Sequence, residues 1–590
     1  MTDPIHPRPV DILRRSVAML TAHAALEVLG DVRLGGFHLT DDGFAYDLLP
    51  AAHAGGDLLD RLGGPIGDAI AADLPFECEA VGRDAAAAEL ADQPFLLARL
   101  DDEPDRSEWR LCRIGRAVDL IDDPVVAAAG EIHAAALRLV DISGAYWRGD
   151  ESRPQFQRIH ATVWESPAAL EAHLEAREEA RARDHRVIGE RLDLFAFDPA
   201  VGAGLPLWLP DGQVVRDELE RWAVETERAW GYQRIATPHI TRSELYELSG
   251  HLPYFADDMY PPIETEGGVE YRLRPMNCPH HMAVFAARPH SYRELPLRYA
   301  EYGAVYRFER SGELSGLMRV RGMTQNDAHI FCPLDQAREE FIAVMQLHEY
   351  CYDLLGIENY HMVLALRDPE NRAKYHGDEE MWETAERLTR EAMEVSGIEY
   401  EEEHGGAAHY GPKVDFVLRS ATGRDYGVST NQLDLYLPMR FGLWFANERN
   451  ERERPAVIHR APLGSHERFI GFLIEHYAGA FPPWLAPVQV AVVPVGEDHV
   501  PWAREVSDAL FNDGRRVGPI LEGATVGAAI AHAEKRRIPF VLVVGSREVD
   551  SRAVSVRLRG GDQAGAMAFD DFRRKLGANI ADRRLDTGLD

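Results

Sequence analysis

Positive charge, cysteine and long apolar runs are all scarce in this chain of 590 residues. Acidic side chains number 97 against 64 Lys and Arg, giving a formal net charge of −33. That excess argues against a protein that coats nucleic acid through a broad basic surface, while leaving room for a partner on a local basic patch. The five cysteines include no Cys-x-x-Cys pair, so a reducing compartment is expected and a disulfide scaffold is not. No run of about 18 apolar residues occurs, and Met1–Arg15 is polar, charged and proline-rich. Neither a membrane span nor a secretory signal is expected, which points to a soluble cytoplasmic protein. Internal repeats and low-complexity tracts are missing too. So are the G-x-x-x-x-G-K, G-x-G-x-x-G, H-E-x-x-H and G-x-S-x-G signatures, which removes the commonest nucleotide and hydrolase readings.

What is present is a globular composition, 45% hydrophobic and 9% aromatic, long enough for two to four domains. Residues 1–165 are rich in Ala, Asp and Gly, and short apolar runs such as Phe37–Leu49 and Phe95–Leu100 point to a small α+β domain. Ser166-Pro167 opens a linker helix over 166–195, with no Gly or Pro before Gly189. Residues 196–483 alternate helical patterns with β-rich runs: Gln233–Thr237, Arg298–Phe308, His361–Leu366, Lys413–Leu418, Gln432–Leu437 and Ala456–Arg460. Many strands with helices clustered between them predict a large antiparallel sheet rather than a Rossmann repeat. Phe481-Pro482-Pro483 breaks the chain before a compact α/β domain at 484–590. The expected fold class is multidomain α+β.

Two clusters carry chemistry. Between Tyr302 and Phe331, Arg307-Phe308-Glu309 precedes a Ser311–Gly316 loop and then Arg319-Val320-Arg321-Gly322. A strand–loop–strand with an arginine at each end can clamp a polyphosphate, or the arginines can simply pair with surface acids. Cys278, His329 and His459 supply one thiolate and two imidazoles, enough for an open three-ligand zinc site. Their separations match no zinc-finger pattern, and a lone buried cysteine is more often part of a core, as a lone histidine is more often a satisfied polar residue.

Met276-Asn277-Cys278-Pro279, Arg298–Arg307, Gly316–Cys332, Tyr410-Gly411-Pro412-Lys413, Gln432-Leu433-Asp434, His459–Gly471 and Trp484-Leu485-Ala486-Pro487 follow one another in a specific order. In that order and spacing the chain resembles threonyl-tRNA synthetases, strongly from Leu194 onward. The likeness reaches back weakly through Gly144–Asp150 and Arg183-Asp184-His185-Arg186. It implies a class II catalytic domain, a C-terminal anticodon-binding domain, an N-terminal editing-like domain and a homodimer. It also implies ATP with Mg²⁺, L-threonine and tRNA(Thr) as substrates, and one Zn²⁺ held by Cys278, His329 and His459. Arg307 would bridge the amino acid carboxylate and the α-phosphate, with Lys413 nearby. Glu309 would contact adenine, Arg319 and Arg468 the γ-phosphate, and Met323 the base. Gln325, Asp327, Tyr410 and Gln432 would surround threonine, and His251 would move the proton during transfer.

Three departures from the family pattern stand out. The editing positions, an HxxxH pair and a later Cys-x-x-x-His, align with Arg15, Met19, Ile121 and Val125, leaving His23 alone, so loss of editing is expected. The small ubiquitin-like domain that often precedes them is also expected to be missing. In the anticodon domain, Glu522–Ala531 has no basic residue, although Lys535-Arg536-Arg537, Glu548 and Arg557 remain; Arg515 and Arg516 either compensate or do not. Phe441 stands near the threonine pocket where the family commonly has Leu, either narrowing a side pocket for inhibitors or merely repacking. Two rivals to a ligase follow: a paralogue activating threonine or a hydroxylated relative for specialised metabolism or inhibitor resistance, and a regulatory binding protein.

Overall fold

The computed structural model describes residues 9–51, 55–150, 153–368, 370–371, 374–420 and 423–589. The first eight residues of the Met1–Arg15 segment lie outside that set. The chain divides into two compact units, Met1–Glu178 and Glu179–Asp590.

In the first unit a four-stranded antiparallel sheet runs in the order Val32–Leu39, Gly43–Pro50, Gln155–Val163, Leu137–Tyr146. The helix Pro9–Leu29 packs against it, its alanine-rich central turns wholly buried. Thus Phe37–Leu49 is a hairpin, whereas Phe95–Leu100 is helical, because Pro94 at the first turn favours helix entry. A smaller sheet pairs Glu77–Gly82 with Glu108–Ile114, and here the cysteine expectation needs correction. Cys78 and Cys112 face each other across the two strands and form a disulfide. It is one cross-strand link, invisible as a sequence pattern because sheet register and not spacing brings the thiols together.

The expected linker helix is broken. It runs Pro167–Arg183, and Asp184 then caps a separate helix α1 (His185–Arg191) by accepting from the Arg186 amide.

The second unit is built on an eight-stranded sheet. Its strands are β1 (Gln233–Arg234), β2 (Leu297–Tyr306), β3 (Gly322–Cys332), β4 (Tyr360–Leu366), β5 (Tyr400–His404), β6 (Lys413–Arg419), β7 (Asp425–Asp434) and β8 (Ala456–Ala461). They lie in the order β1-β2-β3-β8-β7-β6-β4-β5, so the last of the eight along the chain sits in the middle of the sheet. Every pairing is antiparallel except the two at the edges, β1–β2 and β4–β5. The β-rich run Gln432–Leu437 belongs to β7 only as far as Asp434; Pro438 then falls in a short helix, Leu437–Arg440.

Three helices position the site: α2 (Pro210–Ala229), α3 (Cys278–Ala286) and α4 (His466–His476). Val215, Leu219 and Trp222 of α2 and Phe469–Ile474 of α4 enter one apolar core with the sheet. Trp484 joins that core, its ring edge-on to Trp222 at 5.8 Å.

A second sheet, Val490–Pro494, Phe540–Val544, Ala553–Leu558 and Gln563–Ala568, forms the C-terminal α/β part. Ion pairs join it to the rest of the second unit: Arg516 with Glu218 at 2.8 Å, and Arg536 with Asp193 at 2.7 Å and with Asp211.

Candidate active site and metal centre

Sheet register assembles the site. His329 of β3, His459 of β8, Gln432 of β7 and Lys413 of β6 are successive cross-strand partners, so one row carries all four side chains on one face. Along β3 the period of two adds Asp327, Gln325 and Met323 to that face. β3 is rich in buried polar residues, among them Asn326, Asp327 and His329, which strand propensity disfavours. Such a conflict between local preference and tertiary placement is usual where function sets the residue.

Cys278 joins this face from above, as the first residue of α3, where Asn277 stands at the cap position and Pro279 at the first turn. One donor atom from each of Cys278, His329 and His459 lies within 4.8 Å of the others, and all three residues are buried. Among the described residues, His329 Nε2 and His459 Nδ1 have no hydrogen-bond partner. Their other nitrogens are held: His329 Nδ1 lies 2.8 Å from His281 Nδ1, and His459 Nε2 lies 2.9 Å from Asp434 Oδ2. His281 is in turn 3.1 Å from Glu301, whose carboxylate also faces Arg274. Burial, with His459 and His281 adding to it, depresses the His329 pKa well below the ordinary value, so its imidazole is neutral. Burial, with Asp327 and Asp434 nearby, pushes the Cys278 thiol up, a preference that a bound cation reverses. A thiol and two imidazoles, each with one nitrogen held and the other open toward the trio, fit Zn²⁺ with a position left open.

Beside the trio, Asp327 accepts from Asn277 Nδ2 at 2.9 Å, and burial raises its pKa. Tyr410 stacks on His459 with ring centroids 4.9 Å apart and donates its hydroxyl to Gln432 Oε1. Phe441 packs on the apolar cluster that contains Cys278 and Tyr410.

The loop from Arg307 to Arg321 leaves β2 and returns to β3. Arg307 Nε donates to the Pro275 carbonyl at 3.3 Å, and among the described residues no carboxylate pairs with it. Arg319 pairs with Glu309 at 2.8 Å and with Glu313 at 2.7 Å, so the two residues expected to hold phosphate and adenine hold each other here. Lys413 is likewise paired with Asp415. Arg468 sits in the first turn of α4, capped by Ser465, and donates to the carbonyls of Met318 at 3.0 Å and Gly427 at 2.7 Å. Burial lowers its pKa, and the guanidiniums of Arg307 and Arg319 lower it further. Three guanidiniums therefore converge, and only Arg319 among them is paired with carboxylates, Glu309 and Glu313. His251 is fully buried, with Nδ1 2.7 Å from Ser249 Oγ and Nε2 3.2 Å from Met276 Sδ. Burial brings its pKa down to about 3, so it is neutral near pH 7.

The other expected sites fare differently. Glu548 accepts from Gly545 N and Ser555 Oγ, both at 2.9 Å, and serves as a local cap. Arg557 lies on the strand Ala553–Leu558, and the Arg537 carbonyl accepts from Arg559 at 3.1 Å. Arg536 and Arg516 are committed to the ion pairs with the rest of the second unit. Arg516 is also bound to the Trp484 and Ala486 carbonyls, so it makes no free replacement for lost basic residues. In the first unit, Met19 and Ile121 lie in the core and Val125 packs against it, while Arg15 is buried against Asp123 at 2.8 Å. His23 Nδ1 accepts from the Arg116 amide at 3.2 Å. Residues missed at the sequence level, His281, Glu301, Asn277 and Asp434, all orient the expected ones. Asn277, Glu301 and Asp434 sit inside the quoted motifs, the signal that was available.

Residues 262–477 match the tRNA synthetase class II core domain (G, H, P, S and T), and residues 489–579 match an anticodon binding domain. With the antiparallel sheet and the converging arginines, this defines a class II aminoacyl-tRNA synthetase. The threonine–tRNA ligase of Rubrobacter xylanophilus is 42% identical over 98% of this chain and 90% of its own. That of Thermus thermophilus is 42% identical over 98% and 89%. Among solved structures, the RNA binding domain of threonyl-tRNA synthetase from Cryptosporidium parvum Iowa II aligns with a TM-score of 0.64 at 33% identity, covering 69% of this chain and 99% of that one. The chain belongs to the threonine–tRNA ligase family.

Proposed function

We propose that the chain activates L-threonine with ATP and transfers it to the 3′ end of tRNA(Thr), working as a cytoplasmic homodimer with one Zn²⁺ per subunit and Mg²⁺ accompanying ATP. No helix among the described residues is long and apolar enough to cross a membrane. The observation that carries the reading is the single row His329–His459–Gln432–Lys413, which sets two of the three metal-site residues and Lys413 on one face, with Cys278 reaching the histidines from α3.

In the first step a threonine carboxylate oxygen attacks the α-phosphorus, the bond to the bridging oxygen breaks, and pyrophosphate leaves. Arg307 is the group to bridge carboxylate and α-phosphate, and Arg319 and Arg468 the groups to take the γ-phosphate. For ATP, Arg319 exchanges Glu309 and Glu313 for phosphate oxygens, freeing Glu309 for adenine beside Met323, and Lys413 leaves Asp415 for the α-phosphate. Positioning and charge neutralisation supply most of the rate. In the second step a ribose hydroxyl attacks the acyl carbon and AMP leaves. Neutral His251 is in the protonation state that can accept the proton.

Bound to Cys278, His329 and His459, Zn²⁺ would supply a Lewis-acid centre for the amino and hydroxyl groups of threonine. Asp327 accepts from that hydroxyl, and Gln325, Tyr410 and Gln432 surround the amino group. A site built for a hydroxyl rejects valine by on the order of 10⁴-fold, whereas serine, short by one methyl, is rejected only about 10–200-fold. Asp434→Asn removes the carboxylate behind His459 and is expected to weaken metal retention about 10–100-fold, read by metal content after graded chelation. Unchanged retention would remove Asp434 from the metal centre.

With Arg15, Met19, Ile121 and Val125 at the editing positions, the first unit lacks the side chains to hydrolyse seryl-tRNA. Residues 1–165 are then a degenerate editing-like domain and 166–195 a linker, with 196–483 catalytic and 484–590 reading tRNA through Arg537 and Arg557; Glu548 shapes that surface. The test is aminoacylation of tRNA(Thr) with labelled threonine and, separately, serine. Threonine charging with slowly accumulating, stable seryl-tRNA is expected. Hydrolysis of seryl-tRNA in cis would refute the loss of editing. Pyrophosphate exchange without charging would replace the ligase by a specialised activator, and no exchange would leave a binding protein.

A further inference from the structure

The Arg183–Arg186 segment takes no part in the chemistry above, yet its histidine is only 3% exposed and lies behind the phosphate side of the site. The His185 ring joins two elements. Nδ1 lies 2.7 Å from Glu475 Oε1 on α4, and Nε2 accepts from the Leu317 amide at 3.1 Å. Because Nε2 accepts, the ring proton sits on Nδ1 and is donated to Glu475, so the two bonds select one tautomer.

Leu317 is part of the Ser315–Arg319 turn, closed by backbone bonds between its end residues. The same turn is held a second time from α4, since Arg468 donates to the Met318 carbonyl. Contact is close on both sides. A Cβ on Gly316, whose φ is +49°, would lie 2.2 Å from His185 Nε2, and one on Gly471 would come within 3.2 Å of Leu317 and Met318. Glycine is needed at Gly316 to bring ring and turn together, and at Gly471 a side chain would be tight against the turn.

We propose that His185 is a positioning residue for the ATP clamp. It fixes the Leu317 backbone against α4 so that Arg319, two residues on, and Arg468 address the same polyphosphate. The inference rests on the assignment of Arg319 and Arg468 to ATP.

Two substitutions separate this role from a plain structural pin. Gln places a carbonyl oxygen near the Nε2 position and keeps an acceptor for Leu317 N–H while losing the Glu475 bond. Asn keeps an N–H for Glu475 and leaves Leu317 N–H without a partner. In threonine-dependent ATP–pyrophosphate exchange, His185→Asn is expected to raise KM for ATP about 10-fold. Its KM for threonine should stay within about twofold, and His185→Gln should restore the ATP value to within about threefold. Should the histidine variants not fold, Glu475→Gln, which keeps an acceptor for the ring N–H, is expected to resemble the parent, and Glu475→Ala, which releases the ring to turn or change tautomer and so drop the Leu317 N–H, to raise KM for ATP. Equal ATP KM values in parent, Asn and Gln proteins would overturn the proposal. So would an equal rise for both substrates, or E475A matching the parent. A parent protein with no threonine-dependent exchange would overturn the functional reading instead.

Discussion

Replacing Cys278 by serine is expected to lower threonine-dependent pyrophosphate exchange by more than about 100-fold, since the groups behind metal ligands are by themselves commonly worth 10–100-fold. The protein should remain folded, because Cys278 is one small side chain at a helix start whose cap position and proline are untouched. Loss of metal in elemental analysis, with circular dichroism unchanged, is the accompanying sign. Serine offers a hard oxygen of high pKa in place of a soft thiolate, so excess Zn²⁺ should restore little. A variant that keeps both metal and exchange would remove Cys278 from the centre. Incubating the parent with a chelator should reproduce the loss, and added Zn²⁺ should reverse it.

Arg307→Ala is expected to cost about 10²–10³-fold in the exchange rate, the usual effect of removing one preorganised donor from a developing charge. Its effect on stability should have the opposite character. Arg307 has no carboxylate partner among the described residues and helps to depress the pKa of Arg468, so in the free protein it is a repulsive neighbour. Thermal unfolding of the variant is expected to match the parent or exceed it. Lysine should rescue poorly, since a point charge cannot span carboxylate and phosphate as a planar fork does. A lowered melting temperature with normal exchange would show that Arg307 is structural.

The sequence level captured what depends on motif order and local run. Arg307, Arg468 and the metal trio stand out through the order of the family motifs, since residue type alone leaves the arginines to surface pairing and the cysteine to a core; several central strands were legible as β-rich runs. Register was not legible. Nothing local says that Cys78 opposes Cys112, that His459 lies beside both His329 and Gln432, or that the two edge pairings are parallel. Partner choice among charges was also hidden: Arg516, Arg536 and Glu548 look like free surface groups, yet each is committed to a neighbour inside the fold. The break at Asp184 is intermediate, for aspartate is a good cap, but a charged, alanine-rich stretch reads as helix on both sides of it.

The place of β8 bears on how the site comes into being. During synthesis β1 to β3 emerge first and β4 to β7 follow, so two half-sheets are made before the strand that lies between them. That segment brings His459, and the helix directly after it brings Arg468. On the roles proposed for His459 and Arg468, the metal centre and the nucleotide clamp are thus completed together, by insertion of one six-residue strand and the helix that follows it. A chain stopped short of that point has most of the eight-stranded sheet and neither proposed site complete.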